Sequence, residues 1–262
     1  HPYRWMTIGK ELSHIENATL EDVKAFFFKH YRPINAIMVV AGNVTTAQVK
    51  ALAEKWFGDI PSGEKYVHNL VQEPEQTEAR KLEIKAKVPL DAFYKCWHMG
   101  SRLDKSYYVV DLLTDILSSG ASSRLYQRLV KEKKLFSNIG CYQFGSTDAG
   151  LVVIEGKLVK GIKMEDAERA VEDELDKIKN EPVAKDELQK VKNKTESTIT
   201  FEDMSVMSRA ASLAYYEILG DAAWMNDELN KYAAITENDI LQESKNIFKN
   251  ENSSTIYYMS EN

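Results

Sequence analysis

The sequence predicts an α+β protein in which helices cover one face of an antiparallel or mixed sheet, with one partial domain followed by one complete, related domain. Along Lys81–Val88, apolar residues alternate with charged ones without exception, as in a strand with one buried face. Along Met164–Lys179, apolar residues form a narrow stripe, which is typical of a helix packed on a sheet. A helix-and-strand ending that occurs twice predicts the two related domains.

Composition limits the class of protein. The chain has 262 residues, of which 44% are hydrophobic and 28% charged, so it is long enough for one or two domains with a buried core. Its net charge of −6 provides no basic surface for nucleic acid. The longest apolar run, Ala36–Ala41, is far shorter than the roughly 20 residues that cross a bilayer. We therefore expect neither nucleic acid nor a membrane as partner.

The two cysteines, Cys96 and Cys141, exclude a dense disulfide scaffold. We expect two reduced thiols in the core, although one oxidised pair stays open as the alternative.

The first part of the chain predicts a helix, a strand and a second helix. Thr19 followed by Asp22 is a capping-box signature, and it precedes apolar residues at helical spacing. Ile37–Val40 is short, apolar and partly β-branched, as expected for a buried strand. Thr46 is the predicted cap of the next helix, which ends at Gly58.

A linker is predicted between the two domains. From Pro61 to about Arg80 the chain is polar and shows neither strand nor helix periodicity. We therefore predict residues 1–66 as the carboxy-terminal part of a first domain, residues 67–79 as the linker and residues 80–262 as a complete second domain.

The second domain begins with two strands, because the aromatic-rich run Phe93–Met99 follows the alternating one. Helices and strands continue to the end of the chain. The further predicted elements are a helix through Val109 and Ile116 that ends at Ser118–Gly120, a helix at Ser123–Lys134, strands at Ile139–Phe144 and Leu151–Val159, and three or more helices with Pro182 between the first two.

The chain then repeats its own ending. Thr236 opens a helix with the same capping signature as Thr19, and Thr255–Met259 supplies a closing strand as Ile37–Val40 does. If the second ending closes a whole domain, then the first ending closes a domain of which about the last third is present.

The sequence contains few of the motifs that define catalytic sites. No two of its five histidines lie three, four or five positions apart, so it has neither H-E-x-x-H nor H-x-x-E-H. It also contains no phosphate-binding glycine loop and no G-x-S-x-G elbow. Arg128 and Lys131 belong to a basic helix end, which either complements the helix dipole or binds an acidic group of a peptide.

Several motifs occur in one order along nearly the whole chain. They are His1-Pro-Tyr with Ile8-Gly9, Thr19-Leu-Glu-Asp22, Tyr31–Ala36, Val39–Val44, Trp56–Pro61, Leu117–Tyr126 and Lys131-Glu-Lys133. With these motifs the sequence resembles the pitrilysin/insulinase family of zinc metallopeptidases, the inverzincins, and most closely their short bacterial processing-peptidase-like branch.

This resemblance implies pairs of related α+β domains, with two such pairs enclosing a chamber that holds a peptide. It places the H-x-x-E-H helix and the further zinc ligand before the His1-Pro-Tyr motif. Zinc would then belong to the parent protein, with none in this fragment. The counterpart of the zinc helix in the second domain is Ser106–Leu117, which has no histidine. The implied partners are a peptide and a partner subunit or second copy, in a bacterial periplasm.

Active members of the family hold the substrate carbonyl with an arginine and a tyrosine seven positions later. Alignment on Ser123-Arg-Leu-Tyr126 places Val130 and Ser137 there, so we predict no catalytic residue in this chain. The candidate substrate-binding residues are Arg124 and Tyr126 of this motif, together with Arg128 of the basic helix end.

Two functional hypotheses follow. The chain is a fragment of a zinc-dependent endopeptidase that supplies scaffold and chamber wall and is inactive alone, or it is a non-catalytic companion that presents substrate.

Overall fold

The computed structural model of the chain describes residues 4–6, 8–67 and 70–261. The chain divides into two compact units. Unit 1 comprises His1–Pro74 and Glu202–Met225, and unit 2 comprises Glu75–Phe201 and Asn226–Asn262. Residues 202–225 interrupt unit 2 in sequence but group with unit 1, which the sequence patterns did not indicate. The His1-Pro-Tyr motif and residues 68–69 of the predicted linker lie outside the described residues.

Unit 1 consists of helices. They are α1 (Ser13–Glu16), α2 (Leu20–His30), α3 (Thr46–Phe57) and α7 (Val206–Leu219), with 3₁₀ turns at Pro33–Asn35 and Ala222–Asp227, the second of which continues into unit 2. The predicted capping box at Thr19 is confirmed. The prediction of Thr46 as the cap of α3 was wrong by one residue, because the Thr45 hydroxyl accepts the Gln48 N–H and the Gln48 side chain accepts the Thr45 N–H.

The predicted strand at Ile37–Val40 is not formed. The described part of unit 1 contains no strand with which this segment pairs. A strand needs a hydrogen-bonded neighbour, which the local sequence cannot supply. Helices α2 and α3 likewise bury no residue, and large side chains such as Phe27 and Trp56 remain exposed. In its described residues, unit 1 therefore has helices with apolar faces but no sheet.

Unit 2 contains a five-stranded sheet. Its strands are β1 (Arg80–Ala86), β2 (Ala92–Met99), β3 (Phe136–Phe144), β4 (Gly150–Leu158) and β5 (Ser253–Ser260). Their order in the sheet is β1-β5-β2-β4-β3, with β1 parallel to β5 and the other pairs antiparallel. The predicted strands of the second domain are confirmed, and of the two predicted sheet types, antiparallel or mixed, the sheet is mixed.

The helices of unit 2 also follow the predictions. They are α4 (Lys105–Ser118), a π-helix (Tyr126–Glu132), α5 (Met164–Asn180), α6 (Lys185–Glu202), α8 (Glu228–Ala233) and α9 (Glu237–Ile247), with a 3₁₀ turn at Asn250–Asn252. The capping box at Thr236 is confirmed as the start of α9. Among the described residues, no helix combines the length and apolar character that a membrane crossing requires.

The core of unit 2 lies between one face of the sheet and its helices. Phe93, Trp97, Ile154 and Tyr257 point to this face, where α4, α5 and α9 pack. Full burial of such a side chain stabilises the fold by about 1.5–3 kcal/mol. The main buried side chains of the helices are Leu112, Leu113, Ile116, Val171, Leu175, Ile178 and Ile240.

Strand β1 places its apolar residues on the other face. The Lys81 ammonium lies 3.6 Å from the Glu168 carboxylate of α5, whereas Leu82 is 54% exposed. The expectation that the apolar side of this strand is buried was therefore wrong for Leu82. The alternation is as predicted, but β1 is an edge strand whose charged side faces α5.

Both cysteines are free thiols. Cys141 is buried in the core, as expected. Cys96 is only half-buried, because it points to the face of the sheet away from the helices.

Candidate functional site

The segment that carries the candidate substrate-binding residues spans residues 118–134 and is called here the loop–helix segment. Its loop is fixed at both ends. The Ser118 hydroxyl donates to the Cys141 carbonyl and accepts the Cys141 N–H, each at 2.7 Å, which joins the loop to β3. At the other end, the buried Ser123 hydroxyl donates to the Gly120 carbonyl at 2.8 Å.

Two ammonium groups of α6 hold the same loop. The Lys194 Nζ donates to the Ser119 hydroxyl at 2.6 Å and to Asp115 of α4 at 2.8 Å. The Lys190 Nζ donates to the Ser122 hydroxyl at 3.1 Å. Helix α6 therefore positions a short loop rich in hydroxyl groups directly before the π-helix.

Arg124 binds α6 through a bidentate pair. Its Nε and Nη2 donate to the two carboxylate oxygens of Glu187 at 2.9 and 2.7 Å. Parallel bonds of this kind are among the stronger and more directional contacts of a protein. They raise the pKa of Arg124 above its ordinary value, although partial burial opposes this shift. The guanidinium is thus engaged within the protein, and it anchors the start of the π-helix.

Tyr126 and Arg128 lie closer to solvent. Tyr126 is half-buried, and the Lys131 Nζ lies 5.5 Å from the centre of its ring. Arg128 is exposed, and its Nη1 donates to Glu132 one turn later at 2.7 Å. This bond raises the pKa of Arg128. Because water screens such an exposed pair, the guanidinium can exchange Glu132 for another anion at little cost in free energy.

The π geometry itself was not predicted from the sequence. The Lys133 N–H donates to the Arg128 carbonyl five residues earlier, at 2.9 Å. Lys134 then adopts a left-handed conformation with φ of 52°, which among the described residues is the sole positive φ of a residue other than glycine. Wide turns of this kind occur often at functional sites.

The two positions aligned with the arginine and tyrosine of active enzymes carry no equivalent groups. Val130 is half-buried and has no side-chain donor. The hydroxyl of Ser137 is exposed and donates to the Lys157 carbonyl at 3.1 Å. The loop–helix segment can therefore contact a ligand, but these two positions cannot stabilise an oxyanion as the arginine and tyrosine do.

Helix α4 contains Ser106–Leu117, the predicted counterpart of the zinc helix, and its residues do not fit zinc. Asp111 and Asp115 lie one turn apart, but Asp111 accepts the Tyr232 hydroxyl at 2.7 Å and the Gln143 amide at 2.9 Å. Asp115 is paired with Lys194. Throughout the part of the chain that the structure describes, no group of three or more His, Cys, Asp or Glu side chains is placed to hold a metal.

Burial dominates the electrostatics around Asp111. It raises the pKa of this carboxyl, and it also raises the pKa of the Tyr232 hydroxyl that donates to it. The sequence patterns missed this polar network, because its three members come from α4, β3 and α8 and no local spacing connects them.

Comparisons with known proteins agree with the fold and the motifs. Residues 17–195 match the family described as "Peptidase M16 inactive domain". The zinc protease PqqE of Helicobacter pylori is 26% identical over 260 residues, which are 98% of this chain and 58% of that protein.

Solved structures show the same likeness. The crystal structure of a protease from Helicobacter pylori has a TM-score of 0.90 and 26% identity, over 99% of this chain and 63% of that one. The periplasmic protease PqqL from Escherichia coli has a TM-score of 0.71 and 14% identity, over 95% of this chain and 29% of that one, so it shows the fold alone. The chain spans less than two thirds of each of these proteins. Because the family match covers more than half of its length, the chain belongs to the peptidase M16 family, as its inactive domain.

Proposed function

We propose that the chain is the later part of a zinc-dependent endopeptidase that cleaves extended peptides in a closed chamber. In this proposal it supplies scaffold and part of the chamber wall, and it is inactive alone. The observation that carries the proposal is the incomplete packing of unit 1. Helices α2 and α3 bury no residue, and Ile37–Val40 pairs with no strand among the described residues. Such a unit needs further strands to form a domain. The longer zinc protease to which the chain is related supports this reading.

Zinc and its chemistry would belong to the polypeptide that precedes this chain. Bound zinc activates water for attack on a peptide carbonyl. No step of that reaction is assigned to residues of this chain, because the carboxylates of α4 are already engaged by Lys194, Tyr232 and Gln143. The partner would be a second copy or a related subunit that closes the chamber. The proposed compartment is the periplasm, since the similar PqqL is described as a periplasmic protease.

Within the chamber, we propose that Tyr126 and Arg128 contact the peptide. Tyr126 is half-buried, whereas Arg128 is exposed and pairs with the equally exposed Glu132. Arg124 would contact substrate only by leaving Glu187, so its first role in this proposal is to hold the π-helix in place.

The test compares the present chain with the intact protein that includes the sequence encoded before His1. We expect residues 1–262 to leave a quenched-fluorescence peptide uncut, and the intact protein to cleave it until a chelator is added. In the intact protein, Arg128→Ala should raise KM severalfold with kcat little changed. The matched control is Arg169→Ala, which removes another exposed arginine, on α5. Chelator-sensitive cleavage by residues 1–262, or none by the intact protein, would contradict the proposal.

A second candidate function is that of a non-catalytic companion that presents substrate. Val130 and Ser137 favour it, because they replace the arginine and tyrosine of active members. The sequence before His1 distinguishes the two functions. An H-x-x-E-H motif there indicates the enzyme, whereas a degenerate one indicates the companion, which should raise the activity of a related active subunit without cleaving peptide itself.

A further inference from the structure

The loop–helix segment carries an excess of positive charge. Residues 118–134 include five basic side chains and one acidic side chain, in a chain whose net charge is −6. A local excess of one sign raises the concentration of ligands of the opposite sign at that surface. The basic side chains are Arg124, Arg128, Lys131, Lys133 and Lys134.

Two of these charges are paired with neighbouring helices. Arg124 binds Glu187 of α6, and the Lys133 ammonium lies 3.6 Å from the Asp173 carboxylate of α5. A ligand would reach either side chain only by displacing a carboxylate of the protein. These two pairs therefore hold the segment in place.

Three other ammonium groups at the segment have no carboxylate partner within the part of the chain that the structure describes. The exposed Lys131 lies beside the Tyr126 ring, with its Nζ 5.5 Å from the ring centre. The ammonium of Lys134, also exposed, has neither a hydrogen bond nor an ion pair there. Lys190 of α6 donates only to the neutral Ser122 hydroxyl, at 3.1 Å. The excess charge is therefore concentrated on these three lysines.

The basic helix end does not use its lysines to bind its own carbonyl groups. The Arg128 and Leu129 carbonyls accept the N–H groups of Lys133 and Leu135, each at 2.9 Å. Among the described residues, no ammonium of the segment donates to a carbonyl group. A favourable interaction with the helix dipole acts through space and leaves the N–H donors of each ammonium free for a ligand. The structure therefore favours an external acidic group as the partner of this end.

We propose that the loop–helix segment selects acidic peptides, with Lys131 and Lys134 binding an aspartate or glutamate side chain of the substrate. Bonds between an ammonium and a carboxylate are stronger than bonds between neutral groups. A peptide fits this surface better than a nucleic acid, because Glu132 and Asp173 lie among the lysines and would repel a continuous row of phosphates. The inference rests on the proposed function in which this segment contacts a peptide, and it names the class of that peptide.

Cleavage of matched peptides tests the preference in the intact protein. The peptides share one neutral sequence, in which a single glutamate is moved from position to position and compared with glutamine at the same position. We expect kcat/KM to be about fivefold higher for glutamate at one position, as for an exposed ion pair. Lys131→Ala should remove most of this difference. Lys131→Glu should instead favour lysine at that position, because it reverses the sign of the charge.

The matched control is Lys245→Ala. It removes an exposed lysine of α9 that likewise has no carboxylate partner among the described residues. Both alanine variants change the net charge of the chain equally, so an effect of net charge alone would appear in both. Because both lysines are exposed, neither variant should alter the circular dichroism of residues 1–262. An equal loss of the glutamate preference in the two variants would overturn the inference.

Binding to residues 1–262 tests the inference without any cleavage. A fluorescein-labelled peptide with several glutamates should bind about fivefold more tightly than its glutamine counterpart at low ionic strength, as measured by fluorescence anisotropy. The difference should shrink at high salt, because salt screens interactions between exposed charges. It should also shrink in Lys131→Ala and persist in Lys245→Ala.

The outcomes separate this inference from the proposed function. Cleavage by the intact protein with equal kcat/KM for the glutamate and glutamine peptides would overturn the acid preference and leave the enzyme standing. An intact protein that cleaves no peptide, together with tighter binding of the acidic peptide that Lys131→Ala removes, would support the acid preference and overturn the enzyme. Retention of residues 1–262 on phosphatidylglycerol vesicles, with equal binding of the two peptides, would identify a lipid surface as the ligand and overturn the inference.

Discussion

Helices α2 and α9 start alike and end in different surroundings. Each begins after a threonine whose hydroxyl and N–H form a reciprocal capping box with an aspartate three residues later. Yet α9 buries Ile240 and Ile247 against unit 2, whereas α2 buries none of its eleven residues. The comparison shows that a capping box is sufficient to start a helix. The apolar side chains of that helix become buried only where another part of the protein packs against them.

The largest effect that the comparison predicts concerns the first apolar residue after each box. Ile240 is fully buried, and its counterpart Val23 is 58% exposed. Ile240→Ala should lower the free energy of unfolding of residues 1–262 by about 2–5 kcal/mol, because it removes buried methyl groups and leaves a cavity. Val23→Ala should change it by less than about 0.5 kcal/mol. Urea unfolding followed by fluorescence measures the free energy of unfolding of both variants. Equal losses of stability would contradict the difference between α2 and α9.

The next prediction concerns the burial of Val23 in the intact protein. If the preceding polypeptide completes unit 1, Val23 becomes buried and Val23→Ala then removes two methyl groups from a core. We expect a loss of about 1.5 kcal/mol, at roughly 0.8 kcal/mol for each buried carbon. Lys24→Ala, on the same turn of α2, is the control and should have little effect. A Val23→Ala effect that stays near zero would show that α2 remains uncovered.

These contrasts explain how much of the fold could be predicted. Both capping boxes depend on residues three positions apart, so the sequence was sufficient to place Thr19 and Thr236. The failure of Ile37–Val40 to pair, the exposure of Leu82 and the grouping of residues 202–225 with unit 1 do not depend on local spacing, so the sequence patterns could not predict them. At the candidate site, the family motif and the basic helix end suggested Arg124, Tyr126 and Arg128, whose role in substrate binding stays a prediction. The motif could not reveal that Glu187 engages Arg124, since 63 residues separate the two.

The caps themselves predict a smaller difference. Thr236→Ala should lower the free energy of unfolding by about 1 kcal/mol, since it leaves a backbone N–H of α9 without its acceptor. Thr19→Ala should leave the main unfolding transition in place and instead speed hydrogen exchange in the first turn of α2, because that helix is not tied to a core. Exchange monitored by mass spectrometry distinguishes the two responses. A shared loss of global stability would mean that the units unfold together.

The smallest predicted effect is the acid dependence of the two boxes. The Thr236 hydroxyl is the main cause that lowers the pKa of Asp239 from 3.8 to about 2, and burial opposes this shift. The Thr19 hydroxyl likewise lowers the pKa of Asp22. Because the folded-state pKa is depressed, each box stabilises its helix above the ordinary pKa, and this contribution is lost as the pH falls through the folded-state value.

For Asp239 the loss should therefore occur between about pH 4 and pH 2 and should reach global stability, since α9 packs on unit 2. Asp239→Asn should flatten the acid limb of the stability profile measured by urea unfolding, and Asp22→Asn should leave that limb unchanged. NMR titration should still find both carboxylates below their ordinary pKa, because the hydrogen bond of the box is the main cause of the shift in each. A change in the acid limb with Asp22→Asn would show that α2 already belongs to the cooperative fold of residues 1–262.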